Sequence, residues 1–374
     1  MRTKSTRNEK RGLRALGLAL TFGALTLIAS PAAAQTTSLS VSIVEAASVG
    51  GSQRDQIQSF ADHWSGRALQ SDSQQASRAQ AKLLEPLINP RVSIAFRQAY
   101  DESLGAYFDQ LSSNGDIGST LSALRISGEL GTEDSVARII AGLEHRDPGV
   151  QIFAAGRAGR VFRTTAANGP ALSIVDLDKL IAALKKAASG GDQALVGACI
   201  QSLGQGGSLP SDEFLAQRAR SLSVMCDAAS EQVVSDSDLE TRARMAMQAS
   251  SFATNSLLQV GEDSNTEAVR SAVALGANMI AISLSDVINS TMPAVGERDL
   301  QVTLVRSGES LLYFALREHA ELNRRPIGNV EQTAFADLLE EGEDRSFRNQ
   351  AALLLGPGSP IVTEFDFEDD QFVN

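Results

Sequence analysis

The sequence predicts an all-α fold built from antiparallel helix pairs, with longer helices in the C-terminal half. Three observations predict it: apolar residues recur at helical spacing from residue 57 onward, helix-capping signals punctuate the chain, and a helix-pair pattern repeats within 117–204. Strand-like alternation is confined to Ser38–Ile43 (SLSVSI).

The elements follow in order. Residues 1–14 carry six basic side chains, Arg2, Lys4, Arg7, Lys10, Arg11 and Arg14, against Glu9. The apolar stretch Ala15–Ala29 comes next, then Ala32 and Ala34 before Gln35. A basic flank, a short apolar run and A-x-A predict a Sec-type signal peptide over 1–34, cleaved on export to a periplasmic or extracellular location. The run is too short for a bilayer span, so no transmembrane segment is expected after cleavage. An extension over 35–50 leads into the first helix, marked by Ile57, Phe60, Ala61 and Trp64. A second helix is predicted over 73–85, stopped by Pro86, and a third over 92–111 with Phe96, Tyr100, Leu104, Tyr107 and Leu111 on one face.

The stretch 117–204 is the most regular. Leu121–Leu130 aligns with Phe153–Phe162 at an offset of 32, matching Ala123 to Ala155 and Arg125 to Arg157. Ser135–Leu143 aligns with Asp176–Leu184 at an offset of 41, the difference being an insertion in TTAANGPALSIV. Ala194–Gly204 reads as a third first helix. Asp147 before Pro148 reads as an N-cap with proline at the first helical position; Asp176 reads as the cap of a helix ending at Gly190-Gly191. Small residues at Ala154, Ala155, Gly156, Ala158 and Gly159 predict close helix approach.

The small-residue helix ending in Glu129-Leu130-Gly131, the following Ile139-Ile140-Ala141-x-Leu143 and the Arg146-Asp147-Pro148 turn resemble HEAT-like helical repeats of bacterial proteins. The resemblance holds over about 115–205, and the repeats are assigned to 51–205. It implies a right-handed α-solenoid, in which each helix pair buries its second face only by stacking on a neighbour.

Beyond a linker candidate at Gly204–Pro210, longer helices are predicted at 211–233, 237–260, 264–289 and 297–322, then shorter ones at 329–341 and 345–355. The region 210–356 continues the solenoid or forms a separate bundle. Ser237-x-x-Glu240 and Ser264-x-x-Glu267 read as capping boxes. Val269–Ile288 is apolar but holds Arg270, Asn278 and Asp286, the pattern of a buried core helix. Gly356-Pro357 closes the last clear helix. The acidic, Phe-bearing stretch 357–374 reads as a solvated tail, or as a docking peptide with Phe365, Phe367 and Phe372 as anchors.

Chemistry is sparse. The 374 residues include three histidines, two cysteines and one tryptophan, too few for zinc clusters or a disulfide scaffold. Phosphate-loop, dinucleotide, zinc-protease, CxxC, GxSxG and EF-hand patterns are all missing, so no catalytic residue, metal or cofactor is assigned. His63, His145 and His319 fall on different segments. Cys199 and Cys226 read as two buried thiols or, given export, one disulfide. Six of the 33 basic and one of the 45 acidic residues lie in 1–34, leaving a net charge of −17 on the remainder. That charge disfavours nucleic acid.

Against it, 148–175 holds no acid but contains Arg157, Arg160 and Arg163, and Arg125 sits one repeat earlier with Glu129 at i+4. These four arginines either pair with acids on adjacent helices or form the candidate anion or partner patch; in the second case, replacing Arg157 and Arg160 by alanine should weaken partner capture and spare the melting temperature. The functional expectation is an exported, non-catalytic protein-binding scaffold. The alternatives are an enzyme or enzyme-associated subunit with a site between helices, which rests on the family analogy, and a self-assembling envelope component. The partner and the oligomeric state stay open.

Overall fold

The computed structural model describes residues 37–70, 72–235, 238–257, 266–288, 296–323 and 334–372. The leader at 1–34 and the caps Ser237 and Ser264 lie outside the described residues. All regular structure among the described residues is helical; one isolated bridge joins Thr132 to Ala171.

The first helices are α1 (Val41–Val44), α2 (Gly51–Ala68), α3 (Ser73–Leu84) and α4 (Ile94–Asn114). The alternation at Ser38–Ile43 thus leads into a helical turn, not a strand. An isolated strand has no neighbour to receive its backbone groups, whereas Ser40 O accepts from both Ile43 N and Val44 N. Pro86 does not stop the chain at Glu85: a 3-10 turn runs over Glu85–Ile88, with proline in its N-terminal turn, where a missing N–H costs nothing.

The regular stretch gives α5 (Ile117–Leu130), α6 (Glu133–Leu143), α7 (Pro148–Asn168), α8 (Ile174–Gly190) and α9 (Gln193–Gly206). Local chemistry sets each boundary. Asp116, Thr132, Asp147 and Asp192 accept from backbone N–H groups in the first turns of α5, α6, α7 and α9. Gly115 and Gly131 take positive φ (66° and 58°) and end α4 and α5. Asp176 is not the cap of α8: Ser173 is, and Asp176 reaches back to the Ser173 N–H as the third residue of a capping box.

Then come α10 (Ser211–Val233), α11 (Leu239–Leu257), α12 (Thr266–Ile288), α13 (Glu297–Asn323), α14 (Ala334–Glu340), α15 (Asp344–Leu355) and α16 (Pro360–Glu364). Asp238 accepts from Thr241 N at 2.9 Å at the start of α11. Only α12 is long and apolar enough to cross a membrane among the described residues; it packs against α10, α13 and α15 instead.

Packing follows chain order. α5, α7, α9, α11 and α13 contact one another in succession, and so do α6, α8, α10 and α12. Neighbours in sequence bridge the two rows, as in α5 with α6, α8 with α9 and α10 with α11. Two apolar cores result. One runs from Ile43 to Leu130, the other from Leu124 to Phe372, and α5 contributes to both: Leu124 to the second, Ile126 and Leu130 to the first. The second core extends without interruption across Gly204–Pro210, where Leu203 and Leu209 are both buried members.

The C-terminal stretch is folded, which corrects the expectation of a solvated tail. Phe365, Phe367 and Phe372 are buried in the second core. Arg270 of α12 donates to Phe365 O (2.9 Å) and Asp366 O (3.2 Å), and its guanidinium lies 4.7 Å from the Phe367 ring centre. His319 of α13 meets Glu364 at 3.1 Å.

Candidate functional site

The arginine patch is built on the α5–α7 contact. Arg97 of α4 fixes the ends of both helices. It is fully buried and has no carboxylate partner among the described residues; it donates to Leu130 O (3.0 Å), Asn168 O (3.2 Å) and Gly169 O. A cation there satisfies orphan carbonyls and faces the negative ends of two helix dipoles. Burial brings its guanidinium down to about 10, still charged at neutral pH.

Gly128 on α5 leaves room for Arg157 of α7 to lie across it: a Cβ at 128 would sit 3.0 Å from Arg157 Cδ. The Arg157 guanidinium lies 4.8 Å from the Phe153 ring centre, and its Nε is buried without a hydrogen-bond partner. Desolvation holds this group below its ordinary pKa; Glu129 opposes that shift, while Arg125, Arg160 and Arg163 add to it. The other three candidate arginines therefore fall within electrostatic reach of Arg157.

Arg160 turns to Glu129, with Nη2 at 2.6 Å and Nε at 2.7 Å from the same carboxylate oxygen. The i+4 pair expected between Arg125 and Glu129 is replaced by this contact between helices. Arg125 and Arg163 are exposed, and neither forms an ion pair among the described residues. The face thus presents four guanidinium groups against one carboxylate. Within the row α5, α7 and α9 little besides Glu129 offsets it, because α7 has no acid and α9 has no charged residue at all. Guanidinium forks match carboxylate geometry, so the surface suits an acidic ligand.

The other sequence candidates are not brought together. His63 packs edge-on to Trp64 on α2, with ring centres 4.8 Å apart. His145 Nδ1 accepts from Asp147 N at 3.0 Å in the turn before α7. His319 is buried on α13 against Glu364 and Phe365. Cys199 and Cys226 are free and buried; burial pushes the Cys199 thiol up to about 12 and the Cys226 thiol further. The phenylalanines of the C-terminus are core residues, not exposed anchors. Among the described residues no group of three His, Cys, Asp or Glu is arranged to hold a metal ion.

One feature escaped the sequence reading. Asp101, Glu102, Glu133 and Asp134 line a cavity of about 420 Å³ together with Arg54. Asp101 is committed there, bonded to Arg138 and Thr132, and Arg54 meets Glu102 at 2.6 Å. The two acid pairs belong to different helices, so no local spacing announces them. No family model matches the chain, and no curated protein matches its sequence.

Proposed function

We propose that this chain is an exported, non-catalytic scaffold of the HEAT-like solenoid type, which captures an acidic protein partner on its α5–α7 face. The two rows of sequentially packed helices support the solenoid reading, since each helix pair completes its core only through its neighbours. The basic flank, apolar run and A-x-A of residues 1–34 support export. One observation carries the function: among the described residues, Arg125 and Arg163 are exposed and without ion pairs, and stand with Arg157 and Arg160 on a face where Glu129 is the one acid in contact.

The discriminating variant reverses charge at the two uncommitted positions, Arg125→Glu with Arg163→Glu. Neither side chain is buried, so the melting temperature should stay within a degree or two, as for surface substitutions generally. Partners co-purified by the wild-type chain should be lost, and their retention on the wild type should weaken as salt is raised. A variant that captures the same partners with the same salt dependence overturns the assignment of this face. Alanine at Arg157 and Arg160 is a poorer test than the sequence implied, because one packs on Gly128 and Phe153 and the other holds Glu129.

A further inference from the structure

A second surface, separate from the arginine face, lies where the helix array begins. Among the described residues α3 packs on α2, on the 3-10 turn and on α5, and no helix covers the outer side of the α2–α3 pair. The opposite end is closed: α14 packs on α13, α15 on α12, and Phe365, Phe367 and Phe372 fill the remaining space. Stacked helix pairs need a polar or covered terminal face. The outer side of α2 and α3 is uncovered among the described residues and carries an apolar strip between charged side chains.

That side forms an open groove of about 690 Å³. Trp64, Ala81, Leu84 and Ile88 supply its apolar surface, and Ile88 is 66% exposed. Ala81 and Leu84 come from the end of α3 and Ile88 from the 3-10 turn that follows it, and with Trp64 they line one groove. The Trp64 indole N–H donates to Thr37 O at 3.1 Å, which fixes the ring at the groove edge.

The rim is basic. Arg67 stacks over Trp64, 5.4 Å from the ring centre, and Arg78 and Lys82 line the groove along α3. Lys82 is paired with Glu85 at 2.6 Å. Arg67 and Arg78 have no ion pair among the described residues, in a chain whose net charge is −12.

We infer that this groove docks an acidic amphipathic helix of a partner protein, laid on α2 and α3 as the next layer of the array. Its apolar stripe covers Trp64, Ala81, Leu84 and Ile88, and its flanking carboxylates meet Arg67 and Arg78. Helix-in-groove recognition uses such anchors, and the rim charges select the sign of the partner. The inference does not rest on the arginine face of α5 and α7.

Trp64 is the only tryptophan in the chain, so its emission reports the groove directly. The probe is a synthetic helical peptide with leucines at i, i+3, i+4 and i+7 and flanking glutamates, titrated into the full chain; its twin carries lysines in place of the glutamates. Saturable change in Trp64 emission is expected with the glutamate peptide, at an affinity at least tenfold higher than with the lysine peptide. Arg67→Glu with Arg78→Glu should reverse that order while leaving the melting temperature nearly unchanged, since both side chains are exposed and neither forms an ion pair among the described residues. Arg125→Glu with Arg163→Glu should leave the titration unaffected. Equal response to both peptides, or none, overturns the inference. So does a Trp64 change that tracks protein concentration with a doubling of mass in light scattering, which would assign the groove to a second copy.

Discussion

Glu309 is fully buried on α13, and its two carboxylate oxygens accept from Phe335 N (2.6 Å) and Ala336 N (2.9 Å), in the first turn of α14. Burial pushes its carboxyl up to about 7; the two N–H donors and Arg306 pull the other way, and Asp337 adds to the rise. Between an unfolded value near 4.5 and a folded value near 7, the folded chain holds a proton that the unfolded chain has released. Its contribution to stability is therefore complete below about pH 4.5 and is lost as pH rises through 7. Thermal unfolding from pH 5 to 8 should show wild type losing on the order of 2–3 kcal/mol more than Glu309→Gln over that window. The cysteines allow a second check at this scale. Cys199 and Cys226 should ignore a thiol-reactive dye in the native protein and react on unfolding, with identical native peptide maps under reducing and non-reducing conditions.

The helix contacts depend on which glycines face a neighbour. Gly156 and Gly159 lie one turn apart on α7 and read alike in the sequence. In the structure a Cβ at 156 meets nothing within 4 Å, whereas one at 159 would fall 2.9 Å from Ser202 Oγ and 3.2 Å from Ser202 Cα on α9. Ser202 cannot easily yield, because its hydroxyl donates to Ala155 O at 2.6 Å. Gly276 of α12 is tighter still, with a Cβ 2.9 Å from the Gly308 carbonyl of α13. In urea denaturation, Gly156→Ala should gain about 0.5–1 kcal/mol from helix propensity. Gly276→Ala should lose about 1–3 kcal/mol as the helices are forced apart. Helix identity and most boundaries were legible because periodicity and caps are local signals: Asp147-Pro148 starts α7, and 211–233 is α10 to the residue. What was not legible is contact between elements. Glu129 looked like the i+4 partner of Arg125 but binds Arg160, 31 residues away. The acids of 361–372 argued for solvent, while Arg270 and His319, 95 and 45 residues from their contacts there, hold the segment in.

At the scale of the whole molecule, the C-terminal segment is the cover of one end of the helix array. Deleting 361–374 removes three buried phenylalanines and strips Arg270 of its carbonyl partners. Each buried Phe is worth about 3–5 kcal/mol when truncated, so the deletion should expose the sides of α12 and α13 and lower the melting temperature by more than about ten degrees, with aggregation at lower protein concentration. The candidate site was half legible at this scale. The sequence put three of the four arginines in an acid-free stretch, but the placing of neutral α9 beside α7 and the commitment of Arg160 emerge only once α5, α7 and α9 lie side by side.

The double membership of α5 has a mechanical corollary. Leu124 is anchored in one core and Ile126 and Leu130 in the other, so this helix is a party wall between two rooms. A pull on the two termini would load that wall from both sides, and the residues before it could peel away while those after it hold. Because Arg125 sits on that same wall, stretching the N-terminal portion would tug directly on the arginine face proposed to hold a partner.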